Sequence, residues 1–350
     1  MLWGTVKKIV GIASAILVVL VMGVIVRHNL YRVRVWKFSA KPVYLWKVPF
    51  GPGANQLAVD KGIDGEIYGP LAFMAPRGQP VIADSYAHRI VLGIHPWHSL
   101  STGELLPEDI VGTAHHVFFA DNRTLGIYEI SSGKPHKIVQ LSPRPGYTEM
   151  IWHLAMDGNT LLVQGVKLGK GRYETWLRQY STTGNLLSTL NRVESGYNLP
   201  LQTLSTLPIA VPIRSFAVAP NRDLVVETAT SEKSQRTFQV FNQNNQMVWR
   251  GVLISPEPIW HCQLLGVNNM GWIYVGINLT EPRQALLGVL MRSGRTIFRR
   301  VHSVPVQSGV YGAVSSGGSL YLLQSSTKEY CIGKWTLKSK DVWSWNGRVL

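Results

Sequence analysis

Residues Ile110–Leu141 read IVGTAHHVFFADNRTLGIYEISSGKPHKIVQL. Four short runs rich in β-branched and aromatic residues stand out: Ile110–Ala114, His116–Ala120, Leu125–Ile130 and His136–Leu141. None is long enough for a stable helix, and each is separated from the next by a few turn-forming residues. Ser132-Gly133-Lys134 supplies the positive φ that a tight hairpin needs. The stretch therefore predicts a four-stranded antiparallel meander of about 30 residues.

The same layout recurs along the chain. A third unit has Ile151–Met156, Thr160–Gln164, Glu174–Tyr180 and Leu186–Leu190; a fourth has Ser215–Ala219, Leu224–Glu227, Thr237–Phe241 and Met247–Val252. A fifth has Trp260–Leu265, Trp272–Val275, Ala285–Met291 and Thr296–Val301, and a sixth has Val310–Val314, Ser319–Leu323 and Cys331–Leu337. The first runs from Pro70 to about Leu106 with a less regular outer half. Thr183-Gly184-Asn185, Asn244-Asn245-Gln246, Ser293-Gly294-Arg295 and Ser339-Lys340-Asp341 occupy the matching turns. A four-stranded sheet of this size cannot bury both of its faces alone, whereas radial packing buries each against its neighbours. The expected fold is all-β: a six-bladed β-propeller of four-stranded antiparallel blades over residues 43–350. Two stretches compete to complete the sixth sheet, Val43–Phe50 (VYLWKVPF) and the last ten residues with Val342–Trp345.

In the first unit, Pro70-Leu71-Ala72-Phe73 is followed by Val81-Ile82-Ala83-Asp84-Ser85 and then His88-Arg89-Ile90-Val91. This run resembles an NHL repeat, and Phe119-Ala120-Asp121-Asn122 keeps part of it in the second unit. The other units offer Gln164, Glu227, Gly276 and Gln324 near the aspartate position. The resemblance implies a propeller and no particular activity, since one fold hosts enzymes, binders and scaffolds. Propellers of the gluconolactonase kind are similar in having six sheets, and that family holds a divalent metal on the axis with glutamate and asparagine-type ligands. Here the predicted inner strands carry mostly Ala, Leu, Val and aromatics, with Glu149 the acidic candidate, so that metal set is not matched residue by residue.

Ahead of the repeats, Ile9–Val26 (IVGIASAILVVLVMGVIV) carries no charge and only Ser14 as a polar side chain. As a helix it would span ~27 Å, enough to cross a bilayer core. It is longer than a signal-peptide core and lacks a small-residue cleavage site, so it reads as a single N-terminal transmembrane anchor. Residues 1–8 form a short tail and 27–42 a basic juxtamembrane linker. The chain has a net charge of +15, and eight basic residues precede the first acidic one, Asp60. Of these, Lys7, Lys8, Arg27, Arg32, Arg34 and Lys37 are expected to face lipid headgroups. The expected location is the cell membrane with the propeller outside the cytoplasm, the cytoplasmic side being the alternative that flanking charge favours.

About half the positive charge thus belongs to the tether. No nucleic-acid module with interleaved aromatic and basic residues appears, so nucleic acid is not an expected partner. Cys262 and Cys331 read as two separate buried thiols.

Ile151-Trp152-His153 and Ile259-Trp260-His261 echo one another on inner strands, bringing His153 and His261 toward the central channel. Together with Ser215, Tyr311 and Trp97 they form the candidate ligand-binding set. His95-Pro96-Trp97-His98 and His115-His116 read as surface histidines, and Asp84 and Asp121 as structural carboxylates at strand ends. There is no G-x-S-x-G elbow and no phosphate loop. Neither a metal nor another cofactor is expected. Glu194–Pro212, with three prolines, reads as a long loop at the rim. The expected function is a non-enzymatic binding or scaffolding domain for a protein or cell-envelope polymer. A metal-dependent hydrolase or lactonase is the alternative, and an accessory subunit of a membrane complex a third.

Overall fold

The computed structural model describes residues 21–22, 30–61, 67–93, 98–113, 116–142, 145–196, 199–228, 230, 232–279, 284–302, 311–325, 328–345 and 348–349. Its strands build six antiparallel blades. From the inside outward, the first blade holds Ala72–Met74, Val81–Asp84, Arg89–Leu92 and His98–Ser101. The second holds Asp109–Gly112, Val117–Asp121, Gly126–Ile130 and His136–Gln140. Inner strands follow at Thr148–Asp157, Ile213–Val218, Ile259–Val267 and Tyr311–Val314. Each inner strand contacts the next, and the sixth returns to contact the first, which closes the ring.

The reason these sequences stack radially is visible in Val117–Asp121, VFFAD, where every residue is buried. Successive side chains point to opposite faces of a strand. Phe119 accordingly packs with Ala72, Val81 and Ile90 of the first blade, while Phe118 packs with Leu154, Leu161 and Trp176 of the third. Similar clusters lie between the third and fourth, fourth and fifth, and sixth and first blades. Strands buried on both faces read as continuous apolar runs rather than alternating ones.

The sixth blade is closed by Val43–Pro49, which pairs with Glu329–Trp335 outside Leu320–Ser325 and Tyr311–Val314. Trp46 and Val48 are buried there against Tyr330 and Ile332. Between the two competing stretches, the N-terminal one therefore takes the outer position. Val342–Trp345 belongs instead to Leu337–Trp345, a strand paired with Leu30–Phe38, with Arg34 opposite Asp341. The chain divides into two units: Ala40–Thr336, which holds the blades, and Met1–Ser39 with Leu337–Leu350, where Leu30–Phe38, Leu337–Trp345 and Arg348–Val349 form a three-stranded sheet. Much of the stretch expected as a linker is thus strand, because LYRVRVWKF alternates basic with apolar residues at the period a sheet requires.

Part of Glu194–Pro212 is also strand rather than loop. Leu199–Ser205 pairs with the end of Leu186–Gly196 and gives the third blade a fifth strand. Most of Ile9–Val26 lies outside the described residues; Val21 and Met22 are helical and exposed. No helix among the described residues is long and apolar enough to cross a membrane.

Candidate functional site

A central channel of about 780 Å³ runs between the six inner strands. Its wall takes Leu71–Pro76, Glu108–Gly112, Trp152–Met156, Ala217–Pro220, Gln263–Val267 and Gly312–Val314 from successive blades. Most of these side chains are small or aliphatic. Arg222 and Ser316 mark the end of the channel where the inner strands finish, and Glu108, Asp109 and His153 the end where they begin.

Three inner strands share a deformation at that end. Opposite the second strand of its blade, the third blade's inner strand pairs Ile151 with Gly165 and His153 with Gln164, leaving Trp152 as an extra residue. In the fourth, Ile213 pairs with Thr228 and Ser215 with Glu227, leaving Arg214 extra. In the fifth, Ile259 pairs with Leu279 and His261 with Asn278, leaving Trp260 extra. A bulge of this kind re-aims side chains locally, and bulges recur beside functional sites. In all three, the isoleucine is buried and the extra residue is exposed: Trp152 by 43%, Trp260 by 75%, and Arg214 likewise exposed.

Each bulge is clamped from the preceding blade. The Asn122 side chain accepts from the Ile151 amide (2.6 Å) and donates to the Ile151 carbonyl (3.0 Å). Gln164 Nε2 donates to the Ile213 carbonyl (2.7 Å), and an Arg236 guanidinium nitrogen to the Ile259 carbonyl (3.3 Å). Backbone groups that a bulge removes from the ladder are thereby satisfied.

Behind the bulges lie two polar pairs. Asp109 Oδ2 accepts hydrogen bonds from His153 Nδ1 (2.9 Å) and from the Leu154 amide (2.6 Å). Phe216 meets the His153 ring edge-on at 5.1 Å. Burial pulls the His153 pKa down, but the Asp109 carboxylate outweighs it and the net shift is upward. In the fourth blade Ser215 Oγ donates to Glu227 Oε2 (2.6 Å), and Arg236 Nε stands 3.2 Å from Glu227 Oε1. Burial drives the Glu227 pKa up to about 7, against the opposing pull of Ser215, Arg236 and Arg214. Burial likewise pushes the Cys262 thiol well above its usual range. His261 is held below its ordinary value by burial and then by the charges of Arg236 and Arg214.

Of the residues singled out in the sequence, His153 lines the channel, and Ser215 and His261 follow the Arg214 and Trp260 bulges. Tyr311 opens the sixth inner strand, and its side chain lies outside the described residues, as does Trp97. Lys7, Lys8 and Arg27 are likewise outside them. Arg32, Arg34 and Lys37 fall on Leu30–Phe38, where Arg34 and Lys37 are exposed and the Arg32 side chain is not described.

Asp84 and Asp121 are fully buried: the first accepts from the Ala58 amide and Arg89, the second from the Arg123 amide and Thr124. Cys262 and Cys331 are separate buried thiols. Among the described residues, no three His, Cys, Asp or Glu side chains are grouped so as to hold a metal ion.

Sequence reading missed Asp109, Glu227 as a paired group, and Arg214. Asp109 stands one residue before the strand start assigned at Ile110. Arg214 was hidden because Ile213-Arg214-Ser215 repeats the role of isoleucine-tryptophan-histidine without its letters.

No protein-family model matches the chain, and no curated protein matches it. Solved structures similar in shape include a streptogramin B lyase, with a TM-score of 0.47 and 11% identity over 89% of this chain and 99% of that one. An aldose sugar dehydrogenase from Streptomyces coelicolor gives 0.48 and 9% over 88% and 100%. A gluconolactonase from Xanthomonas campestris gives 0.46 and 11% over 83% and 98%. Likenesses at these levels assign neither activity nor ligand to this chain.

Proposed function

We propose that this protein is a non-enzymatic binding module tethered to a membrane. Ile9–Val26 serves as the anchor, and the ring, carried outside the cytoplasm, engages a protein or cell-envelope polymer through the end of its channel where the inner strands begin. The observation that carries this reading is a division of labour at that end. The carboxylates Glu108, Asp109 and Glu227 are each hydrogen-bonded inside the protein. Beside them, the large side chains of Trp152, at the channel wall, and of Trp260 are left exposed. Committed acids cannot serve freely as metal ligands or bases, whereas exposed indoles are effective contact surfaces.

One observation favours a hydrolytic reading instead. A carboxyl group with a pKa of about 7, bonded to a serine hydroxyl, lies in the range used for acid–base catalysis. Glu227 is only 1% exposed, however, and lies outside the residues that line the channel.

The test is an assay of the full-length chain in washed membranes, with lactones and aryl esters supplied alongside magnesium, calcium, manganese or zinc. The binding reading predicts that the chain stays with the membrane and that no substrate turns over. Metal-dependent turnover that disappears in Asp109→Asn or Glu227→Gln would overturn it.

A further inference from the structure

We infer that Trp152, Arg214 and Trp260 form a recognition platform for an acidic oligosaccharide, a chain of sugars bearing carboxylates. This deepens the binding reading above and rests on it. The three residues belong to three consecutive blades and occupy the same place in each, the extra position of a bulge at the start of the inner strand. Equivalence around the ring puts them side by side in the order indole, guanidinium, indole.

All three are available. Neither indole makes a hydrogen bond, ring contact or cation contact with another described residue, and Arg214 makes no hydrogen bond or ion pair among them. The bulges are held from behind by Asn122, Gln164 and Arg236, so little ordering remains to be done on binding.

The ligand class follows from what these groups recognise. An exposed indole offers a flat apolar face with a polar N–H edge, suited to the C–H face and hydroxyl rim of a sugar ring. An unpaired guanidinium takes a carboxylate in bidentate fashion. Packed sheets lie about 10 Å apart, so two indoles separated by a whole blade cannot clasp one ring. The ligand must extend over at least two units, with its charge between the stacking positions. His261, exposed directly after Trp260, supplies a further hydrogen-bonding group. A peptide would instead call for an open strand edge or deep side-chain pockets. The platform consists of bulge residues on strands already paired within their blades.

The experiment is calorimetric titration of the detergent-solubilised full-length chain with oligogalacturonate and oligoguluronate tetrasaccharides, and with the same tetrasaccharides after reduction of their carboxyl groups. Saturable binding is expected for the acidic forms. Arg214→Ala should weaken it by roughly tenfold to a hundredfold, the loss of a charge-assisted pair, and abolish the preference over the reduced forms. Trp152→Ala and Trp260→Ala should each weaken both forms by about tenfold. All three side chains are exposed, and an unchanged melting temperature would show that the variants fold.

Absence of binding to any acidic tetrasaccharide, or binding indifferent to Arg214→Ala, would overturn the platform. Poly-glutamate bound in an Arg214-dependent way, with the saccharides ignored, would overturn the sugar assignment and leave a binding module standing. Turnover of a tetrasaccharide would sink the module itself.

Discussion

Glu227 shows how a single buried carboxyl group sets the pH response of the ring. Its folded pKa of about 7 lies above the ordinary 4.5, so the folded state holds the proton more tightly than the unfolded chain. Stability contributed this way is full below 4.5 and is lost as pH rises toward 7 and above, by roughly 3 kcal/mol in total. His153 acts with the same sign, since its raised pKa gives stability that is full below 6.5 and lost as pH climbs through the folded value. Asp84, raised by burial, adds a contribution that fades above 3.8. His261, held below its ordinary value, acts with the opposite sign below pH 6.5, but Glu227 carries the larger shift, so urea midpoints measured from pH 4.5 to 8 should fall with pH overall. Glu227→Gln should flatten most of that slope, and an unchanged slope in the variant would refute the assignment. Asp109→Ala removes the acceptor of both His153 Nδ1 and the Leu154 amide, and should cost about 1–3 kcal/mol. That cost should be larger below pH 6.5, where the imidazole carries its charge, and should shrink as pH rises through the folded value of His153. None of this was legible from residue types alone, because a pKa depends on which strand a neighbour occupies.

Bulges are the elements on which the site depends, and they explain what the sequence conveyed and what it withheld. Strands and hairpins were legible because Gly and Asn punctuate apolar runs, as in Ile110–Leu141. The repeated Ile-Trp-His was also visible, but not that its tryptophan is surplus to the pairing. That surplus exists only relative to Gln164 and Gly165 on the partner strand, twelve and thirteen residues away. Leu199–Ser205 was missed for a similar reason: the prolines of Glu194–Pro212 suggest a loop, yet Gly196 and its predecessors offered an open edge. Asn122 provides the test at this scale. Asn122→Ala leaves the Ile151 amide and carbonyl without their partner and should destabilise by about 1–3 kcal/mol. Hydrogen exchange at the Ile151 amide should quicken while the second strand of the fourth blade is unaffected. Exchange unchanged at Ile151 would mean the clamp does not hold the bulge.

For the whole molecule, ring closure and ligand entry are the two claims that matter. Closure was left open by the sequence because Val43–Phe50 and Val342–Trp345 carry equally strand-like patterns; packing against Tyr330 and Ile332 selects the first. Trp46→Ala should cost about 3–5 kcal/mol and raise hydrogen exchange first in the sixth blade, where unfolding of the closed ring would start. Uniform loss across all blades would argue against closure by this strand. The central claim is that the ligand meets the channel at the end where inner strands begin. The most direct measurement places a photo-crosslinking benzoylphenylalanine at Trp152, and separately at Arg222 on the turn that follows the fourth inner strand, in the full-length chain. Irradiated with the bound oligogalacturonate tetrasaccharide, the chain labelled at position 152 should yield a covalent adduct and the chain labelled at 222 none. An adduct only from 222, or equal adducts from both, would contradict the account.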